Sequence, residues 1–482
     1  MTAICWLRND LRLDDQPALR AAAAGPALFV YVHDAAATGR PLGGASRWWL
    51  DKSLRAFAAA LSAVGGRLDV VEGDAAEVLP ALGGEAVYWT RAYTQAERET
   101  ERRLAAALGG RGQSFNGQLL REPWELERDG GFIPKVFTPF WRRLRELGPF
   151  DAPQPAPKKL HAADWPACGP RRVEIDALGL HPRRPDWSAG LSAEWTPGEA
   201  GAKARLRRFL DHALNGYAEG RDLPGEERTS RLSPHLRFGE ISPRRAFGAA
   251  QHREPGRDVE KFEAELGWRE FSYSLLWREP DLNRKNWSPR FDAFPWRSDD
   301  AGLKAWRRGK TGYPIVDAGM RQLWTTGYMH NRVRMIVGSF LTKHLGLDWR
   351  LGEDWFWDTL CDADVASNPA SWQWVAGSGA DAAPYFRVFN PVLQSEKFDA
   401  EGAYIRRFVP ELAGLDARHI HAPFRLPEML LSAAGVQLGV NYPRPIVELD
   451  EGRARALRAF AEIGGETDQR KPAARNSAKN KG

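Results

Sequence analysis

Short apolar runs rich in β-forming residues recur at 3–7, 27–33, 68–71 and 86–90, and between them lie Ala- and Arg-rich stretches of helical character such as 46–64. Strand alternating with helix predicts an α/β domain on a parallel sheet. No G-x-G-x-x-G follows the first run, so the usual dinucleotide fingerprint is missing where it would be expected. From Pro149 to Pro185 the chain carries eight prolines and little periodicity, which marks a long connection. Beyond Gly198 the pattern becomes helical. Residues 200–214, 258–277, 313–345 and 355–360 repeat apolar or aromatic positions at three and four, and β-branched runs are scarce. The expected division is therefore an α/β domain over 1–148, a connection over 149–197, an all-α domain over 198–463, and a polar, basic, disordered tail over 464–482.

Length adds little, since 482 residues suit about two to four domains. Charge narrows the partners only slightly. With 68 Lys and Arg against 62 acidic residues, the net charge of +6 permits a nucleic-acid or other anionic partner without requiring one. Cys5, Cys168 and Cys361 lie far apart with no Cys-x-x-Cys spacing, which supports neither a disulfide framework nor an all-Cys metal site and fits a reducing cytoplasm. The amino terminus acquires charge by Arg8, and no stretch approaches ~20 apolar residues, so a soluble protein without signal peptide or membrane span is expected.

Tryptophan changes the picture more. There are 20 Trp and only 5 Met, and the block 310–398 combines Trp with Arg, Asn and carboxylates. Because a buried indole needs a partner for its N–H, this mixture points to a bound aromatic cofactor handling electrons. On a helix, Glu265, Trp268 and Arg269 share one face, and so do Asn331, Arg334 and Met335, while Arg332 points elsewhere, toward a phosphate outside the pocket. Asp362, Asp364 and Asn368-Pro369 read as a loop whose carboxylates can pair with Arg334 or accept from a ribose or a ring N–H. No His lies at ligand spacing there, which argues against a metal. Trp372 and Trp374 would diverge by roughly 200° on a helix, one toward a cofactor and one toward a substrate cavity. Thr229 to Pro234 offers hydroxyls, N–H groups and a proline at a possible helix start, a suitable phosphate cradle.

Together these strings resemble the photolyase/cryptochrome family, and most closely the class I bacterial cyclobutane pyrimidine dimer photolyases. The resemblance runs from Trp6-Leu-Arg-Asn-Asp-Leu-Arg12 through Lys135-Val-Phe-Thr-Pro-Phe140 and Thr229-Ser-Arg-Leu-Ser233 to Asn441-Tyr-Pro, and is densest over 309–398. It implies an amino-terminal α/β antenna domain and an all-α carboxy-terminal domain that binds FAD. By motif, Tyr217, Thr229, Ser230, Arg231, Leu232, Ser233, Arg269, Asn331, Arg334, Asp362, Asp364 and Asn368 would contact FAD, with the Asn368 amide beside the reducible ring nitrogen. The substrate pocket would present Glu265, Trp268, Asn331, Met335 and Trp374, while Arg221, Arg332 and Gln394 would reach UV-damaged DNA. Trp372, Trp349 and Trp296 match the family's electron supply line.

The implied reaction is light-driven. Excited reduced FAD gives one electron to a flipped-out dimer, the cyclobutane ring opens, and the electron returns. Glu265 would hydrogen-bond the pyrimidine edge. The rivals are a cryptochrome-type light sensor and a (6-4) photolyase. Both pocket tryptophans and the short tail speak against the first. Met335, where (6-4) enzymes carry His, speaks against the second, and three Cys are too few for the iron–sulfur bacterial type. A folate, 5,10-methenyltetrahydrofolate, is the expected antenna, although the Asn-Glu pair of folate-binding relatives reads Ala96-Glu97 here. A cytoplasmic monomer without metal completes the expectation.

Overall fold

The computed structural model describes residues 2–35, 37, 39–127, 133–381 and 386–464, so the tail expected from 464 onward lies, save for its first residue, outside the described residues. The four expected strands are β1 (Ala3–Leu7), β2 (Pro26–His33), β3 (Leu68–Glu72) and β4 (Ala86–Thr90), and a fifth, β5 (Gly112–Phe115), joins them. β5 escapes sequence reading because it lacks an apolar run; it is a half-exposed edge strand that pairs with β4. The pairing is parallel throughout, in the order β3-β2-β1-β4-β5. Alternation along β1 feeds two cores. Ile4 and Trp6 pack with Leu28, Val30, Leu79 and Leu104 on one face, and Cys5 and Leu7 pack with Phe29, Trp48 and Leu54 on the other. Helices α1 (Pro17–Ala22), α2 (Gly44–Ala63), α3 (Ala75–Ala81) and α4 (Gln95–Leu108) cover the sheet. That double cover is why the strands read as continuous apolar runs.

The strand order reverses between β1 and β4, where open α/β sheets usually offer a ligand crevice. Polar side chains pack this position instead. Asp10 accepts from the Arg8 N–H at 2.7 Å, from Gln16 at 2.6 Å and from the Thr90 hydroxyl at 2.7 Å, while Arg8 pairs with Glu101 at 2.6 Å.

The proline-rich connection is partly tied to the sheet. His161–Ala162 adds two residues beside β2, and the Val173 N–H donates to the Val70 carbonyl at 2.9 Å. Before it, α5 (Phe137–Glu146) lies on the helical part of the chain, where Phe140 packs edge-on against Phe271, ring centroids 5.1 Å apart.

The helical region continues through α6 (Ala189–Glu194), α7 (Glu199–His212), α8 (Tyr217–Gly220), α9 (Ser233–Arg237), α10 (Pro243–Gln251) and α11 (Arg257–Arg278). It then runs through α12 (Asp300–Arg307), α13 (Pro314–Thr326), α14 (Asn331–Ser339), α15 (Trp349–Thr359) and α16 (Ser367–Ala376). The stretch 313–345 is thus not one helix. Gly327, at φ +65°, ends α13, and α14 runs on into a wider π-helical turn at Phe340–Leu345. α15 starts earlier than its apolar pattern suggests, because Asp348 caps it by accepting from the Arg350 N–H at 2.9 Å.

The two regions are joined by buried polar contacts. Arg12 is 1% exposed and donates to the carbonyls of Asp15, Gly117 and Gly239, the last two at 2.8 and 2.9 Å. The Trp49 indole N–H donates to Glu240 at 3.0 Å. Gly239 has φ +64°, and a Cβ there would lie 2.0 Å from the Asn9 carbonyl, so the approach requires glycine. Among the described residues no helix is long and apolar enough to cross a membrane.

Candidate active site

α8, α9, α11, α14 and α16 surround a cavity of about 600 Å³. One side is built by the loop before α9. Thr229, Ser230, Arg231, Leu232 and Ser233 all line the cavity, together with Tyr217. Arg231 holds a left-handed backbone, φ +52°, and is anchored by its ion pair with Glu194 and by the rings of Trp195 and Tyr328, 4.6 and 4.9 Å away. The loop therefore brings hydroxyls and backbone N–H groups, the kind of donors a pyrophosphate needs, to the cavity wall.

At the carboxy-terminal end of the loop, Arg334 donates to Asp362 Oδ2 at 2.8 Å, and the Ser233 hydroxyl donates to the same oxygen at 2.6 Å. Asp362 Oδ1 is buried and has no hydrogen-bond partner within the protein. An orphaned carboxylate oxygen on a cavity wall is a position for a ligand donor such as a ribose hydroxyl or a ring N–H. Asp364 accepts from Tyr273 at 2.8 Å and from the N–H groups of Ala366 and Ser367 at 3.0 and 2.7 Å. Burial alone would raise its carboxyl, but Arg269 and Arg237, with the bonds from Ser367 and Tyr273, carry it below its usual range. Asn368 and Pro369, expected in a loop, occupy the first turn of α16, where proline costs no hydrogen bond. Arg269 lines the cavity, but its guanidinium also donates to the Gln118 carbonyl at 2.7 Å and lies 4.8 Å from the Tyr273 ring.

Glu265, Trp268, Asn331, Met335 and Trp374 line the same cavity. Glu265 pairs with Arg221 and with Lys261 Nζ, the latter at 3.1 Å. The Trp374 indole N–H donates to the Asp381 carbonyl at 3.0 Å, which fixes the ring edge. Two residues earlier, Trp372 is buried against Trp306 and Phe356. The helical twist thus separates the two indoles as expected. At the rim, Arg332 pairs with Asp222 at 2.6 Å and lies over Phe398 at 4.2 Å. His330 caps α14 by accepting from the Arg332 N–H at 3.2 Å, and burial, aided by Arg221, Arg334 and Arg332, lowers its pKa to about 4. The neutral ring keeps the lone pair that this cap requires.

Three expected residues lie off the cavity wall. Gln394 sits on the neighbouring Pro391–Phe398 helix, whose Phe398 meets Arg332. Trp349 is fully buried, its N–H donating to Asn286 at 2.9 Å, and it shares one core with Trp372, at whose edge the half-buried Trp296 packs. Two supporting residues were missed from the sequence. Phe137 lies flat against Trp268, and Glu353 takes the amide protons of Asn368. Each stands far along the chain from what it supports, and a helical face gives no signal for a partner on another helix.

A second cleft, of about 430 Å³, lies between the α/β region and the helices, walled by Arg40, Thr94, Gln95, Ala96, Glu99, Glu353 and Trp357 among others. Glu97 does not reach it. Its carboxylate closes the capping box of α4 with Thr94, and burial raises its pKa. Among the described residues no group of three His, Cys, Asp or Glu is placed to hold a metal ion.

Residues 3–158 match the family described as DNA photolyase, and residues 262–462 match the FAD binding domain of DNA photolyase. A deoxyribodipyrimidine photo-lyase of Agrobacterium fabrum is 51% identical over 473 residues, covering 95% of this chain and 98% of the relative. The crystal structure of a bacterial class III photolyase from Agrobacterium tumefaciens superposes with a TM-score of 0.91 at 50% identity, over 96% of this chain and 98% of that one. Cryptochrome-1 of Arabidopsis thaliana is 37% identical over 96% of this chain and 70% of its own length. With its parallel-sheet and helical regions, its FAD-type cavity and relatives this similar over nearly the whole chain, the protein belongs to the photolyase/cryptochrome family.

Proposed function

We propose that the protein is a light-dependent deoxyribodipyrimidine photo-lyase that repairs cyclobutane pyrimidine dimers in DNA. One observation carries this reading: a single cavity joins the FAD-holding set, from Thr229 to Asn368, to the indoles of Trp268 and Trp374. Bound FAD, once reduced, supplies on excitation a single electron to the dimer and takes it back. The protein's own residues do the rest. Thr229 and Ser230, with the backbone N–H of Ser233, would hold the pyrophosphate, Asp362 would receive a donor from the cofactor on its unpartnered oxygen, and Arg334 and the Ser233 hydroxyl keep that carboxylate in place. Asn368 presents its carbonyl end to the flavin and so favours the reduced form. Trp268 and Trp374 supply flat apolar walls for a dimer turned out of the helix, and Glu265 meets its polar edge. Flipping costs less for a lesion whose stacking is already damaged, so selectivity comes partly from the DNA. Arg221 and Arg332 grip phosphate without reading sequence. A light sensor of cryptochrome type would not need both indoles facing one cavity.

The motifs that suggested class I are densest in the cofactor and lesion pocket, over 309–398, and mark the family rather than one class. The 50% identity to a class III photolyase supports class III instead. For the antenna we retain a folate and place it in the interdomain cleft, because the crevice between β1 and β4 is packed by Asp10, Gln16 and Thr90. Repair of a dimer-containing oligonucleotide by the reduced holoprotein under blue light, with none in darkness, is the expected result. No light-dependent reversal would overturn the reading.

A further inference from the structure

Asn368 carries an amide whose two ends have nearly the same shape but opposite hydrogen-bonding character. Its Nδ2 donates to Glu353 Oε1 at 2.8 Å and to the Glu353 carbonyl at 3.2 Å. Both protons are thereby drawn toward α15, and Oδ1 is the end left for the cavity. The backbone carbonyl accepts in any state, so the Glu353 side chain decides how firmly this orientation is held. The Glu353 side chain is fully buried, and burial pushes its carboxyl up, toward a protonated form that could donate to Oδ1 and turn the amide round.

The counterweight comes from the other side of the molecule. Arg40, in the loop between β2 and α2, donates from Nη1 to both Glu353 oxygens at 2.9 Å. Its guanidinium also lies 4.4 Å over the Trp357 ring and pairs with the half-exposed Asp354, which in turn meets Arg284 at 3.3 Å. These groups, Arg40, Asp354 and Arg284, are the charges that face Glu353. Residues 41–44, directly after Arg40, are held against α15. The Trp357 N–H donates to the Pro41 carbonyl at 2.8 Å, the Gly44 N–H donates to Asp358 at 2.8 Å, and a Cβ on Gly43 would lie 2.1 Å from the Trp357 carbonyl. A segment of the α/β domain therefore delivers one cation to a carboxylate inside the helical domain.

We propose that Arg40 is a positioning residue for the flavin pocket: acting through Glu353, it fixes which end of the Asn368 amide meets the cofactor. The proposal rests on the reading of the main cavity as the FAD site with Asn368 beside the flavin. Without Arg40, a protonated Glu353 competes for Oδ1 against the backbone carbonyl that holds Nδ2, so the amide is held less firmly with its carbonyl toward the flavin and the preference for reduced FAD weakens.

The test is the reduction midpoint of FAD in the holoprotein, read together with its infrared spectrum. Arg40→Gln is expected to weaken the preference for reduced FAD at least tenfold, about 59 mV for a one-electron step. Arg40→Lys, which keeps the charge, recovers most of it. A protonated-carboxyl band appears in Arg40→Gln and disappears when Glu353→Gln is added. Where Arg40→Gln does not fold, the volume-conserving Glu353→Gln decides, with the same tenfold loss expected. Midpoints within twofold of wild type in Arg40→Gln and Glu353→Gln, alongside a clear shift in Asn368→Ser, would overturn the proposal and leave the site reading standing. No shift even in Asn368→Ser would remove both.

Discussion

Phe137 lies flat against Trp268, with ring centroids 3.8 Å apart and planes within 5°. The Phe137 N–H donates to the Asp381 carboxylate at 3.2 Å, and the Asp381 carbonyl receives the Trp374 indole N–H. The two indole walls are thus tied together through a helix that precedes the connection between domains. Phe137→Ala leaves one face of Trp268 without a partner and opens a space beneath it. We expect a loss of about 3 kcal/mol in stability, seen by chemical denaturation. Affinity for dimer-containing DNA should fall about tenfold, with binding to undamaged duplex unchanged. Equal losses on both DNAs would show that Trp268 does not face the lesion.

Trp296 is half-buried at the edge of the core that holds Trp349 and Trp372, with its ring centroid 4.3 Å from that of Phe294. As the outer end of the supply line it matters for recharging the cofactor and not for repair itself. Trp296→Phe should abolish photoreduction in vitro yet leave repair intact once the flavin is reduced chemically. Unchanged photoreduction would remove Trp296 from the line.

Gly352 sets the position of the inner tryptophan. A Cβ there would lie 2.2 Å from the Trp372 ring and 2.7 Å from Leu341, so Gly352→Ala drives the indole from its place on α16. Overpacking of this kind costs about 1–3 kcal/mol. We expect slower photoreduction, measured by flavin absorbance under blue light, together with a lowered thermal midpoint. A lowered midpoint with wild-type photoreduction would mean that the ring's placement does not limit electron supply.

Much of this site was legible because helical spacing is a local rule. The faces of α11 and α14 placed Glu265 with Trp268 and Asn331 with Met335, and the two-residue step from Trp372 to Trp374 foretold their divergence. What stayed hidden depends on contacts between distant segments. Phe137 stands 131 residues before the Trp268 it supports, and Arg40 stands 313 before Glu353. Glu97 read as half of a ligand pair because sequence cannot distinguish a carboxylate that caps its own helix from one that faces a cleft. In the fold, the alternation of apolar runs revealed four strands, whereas β5, a polar edge strand, offered no such run.

Arg332 is balanced between two roles at the rim. Its pair with Asp222 holds the guanidinium ready, and 18% of its side chain stays exposed. Phosphate contacts release counterions, so each one lost lowers the slope of log affinity against log salt by about 1. Arg332→Ala should therefore weaken damaged and undamaged DNA alike and reduce that slope by about 1 in a salt titration. An unchanged slope would place Arg332 outside the phosphate contacts.

Glu270 gives the fold a pH dependence that is separable from catalysis. The carboxyl is buried on α11, where it accepts from the N–H groups of Leu120 and Arg121 at 2.9 and 3.2 Å. Burial, only partly offset by Arg269, raises its pKa from 4.5 to about 7. Because the folded value is the higher one, the folded protein retains a proton between these values that the unfolded chain has released. This group's contribution is therefore complete below about pH 4.5, falls as pH rises through about 7, and is gone above it. That rise corresponds to about 3 kcal/mol. Gln cannot titrate but still accepts both N–H bonds, so Glu270→Gln should gain about 3 kcal/mol relative to wild type between pH 4 and pH 8. Denaturant unfolding of both proteins across that range checks it, and parallel stability curves would show that Glu270 ionises at its ordinary value.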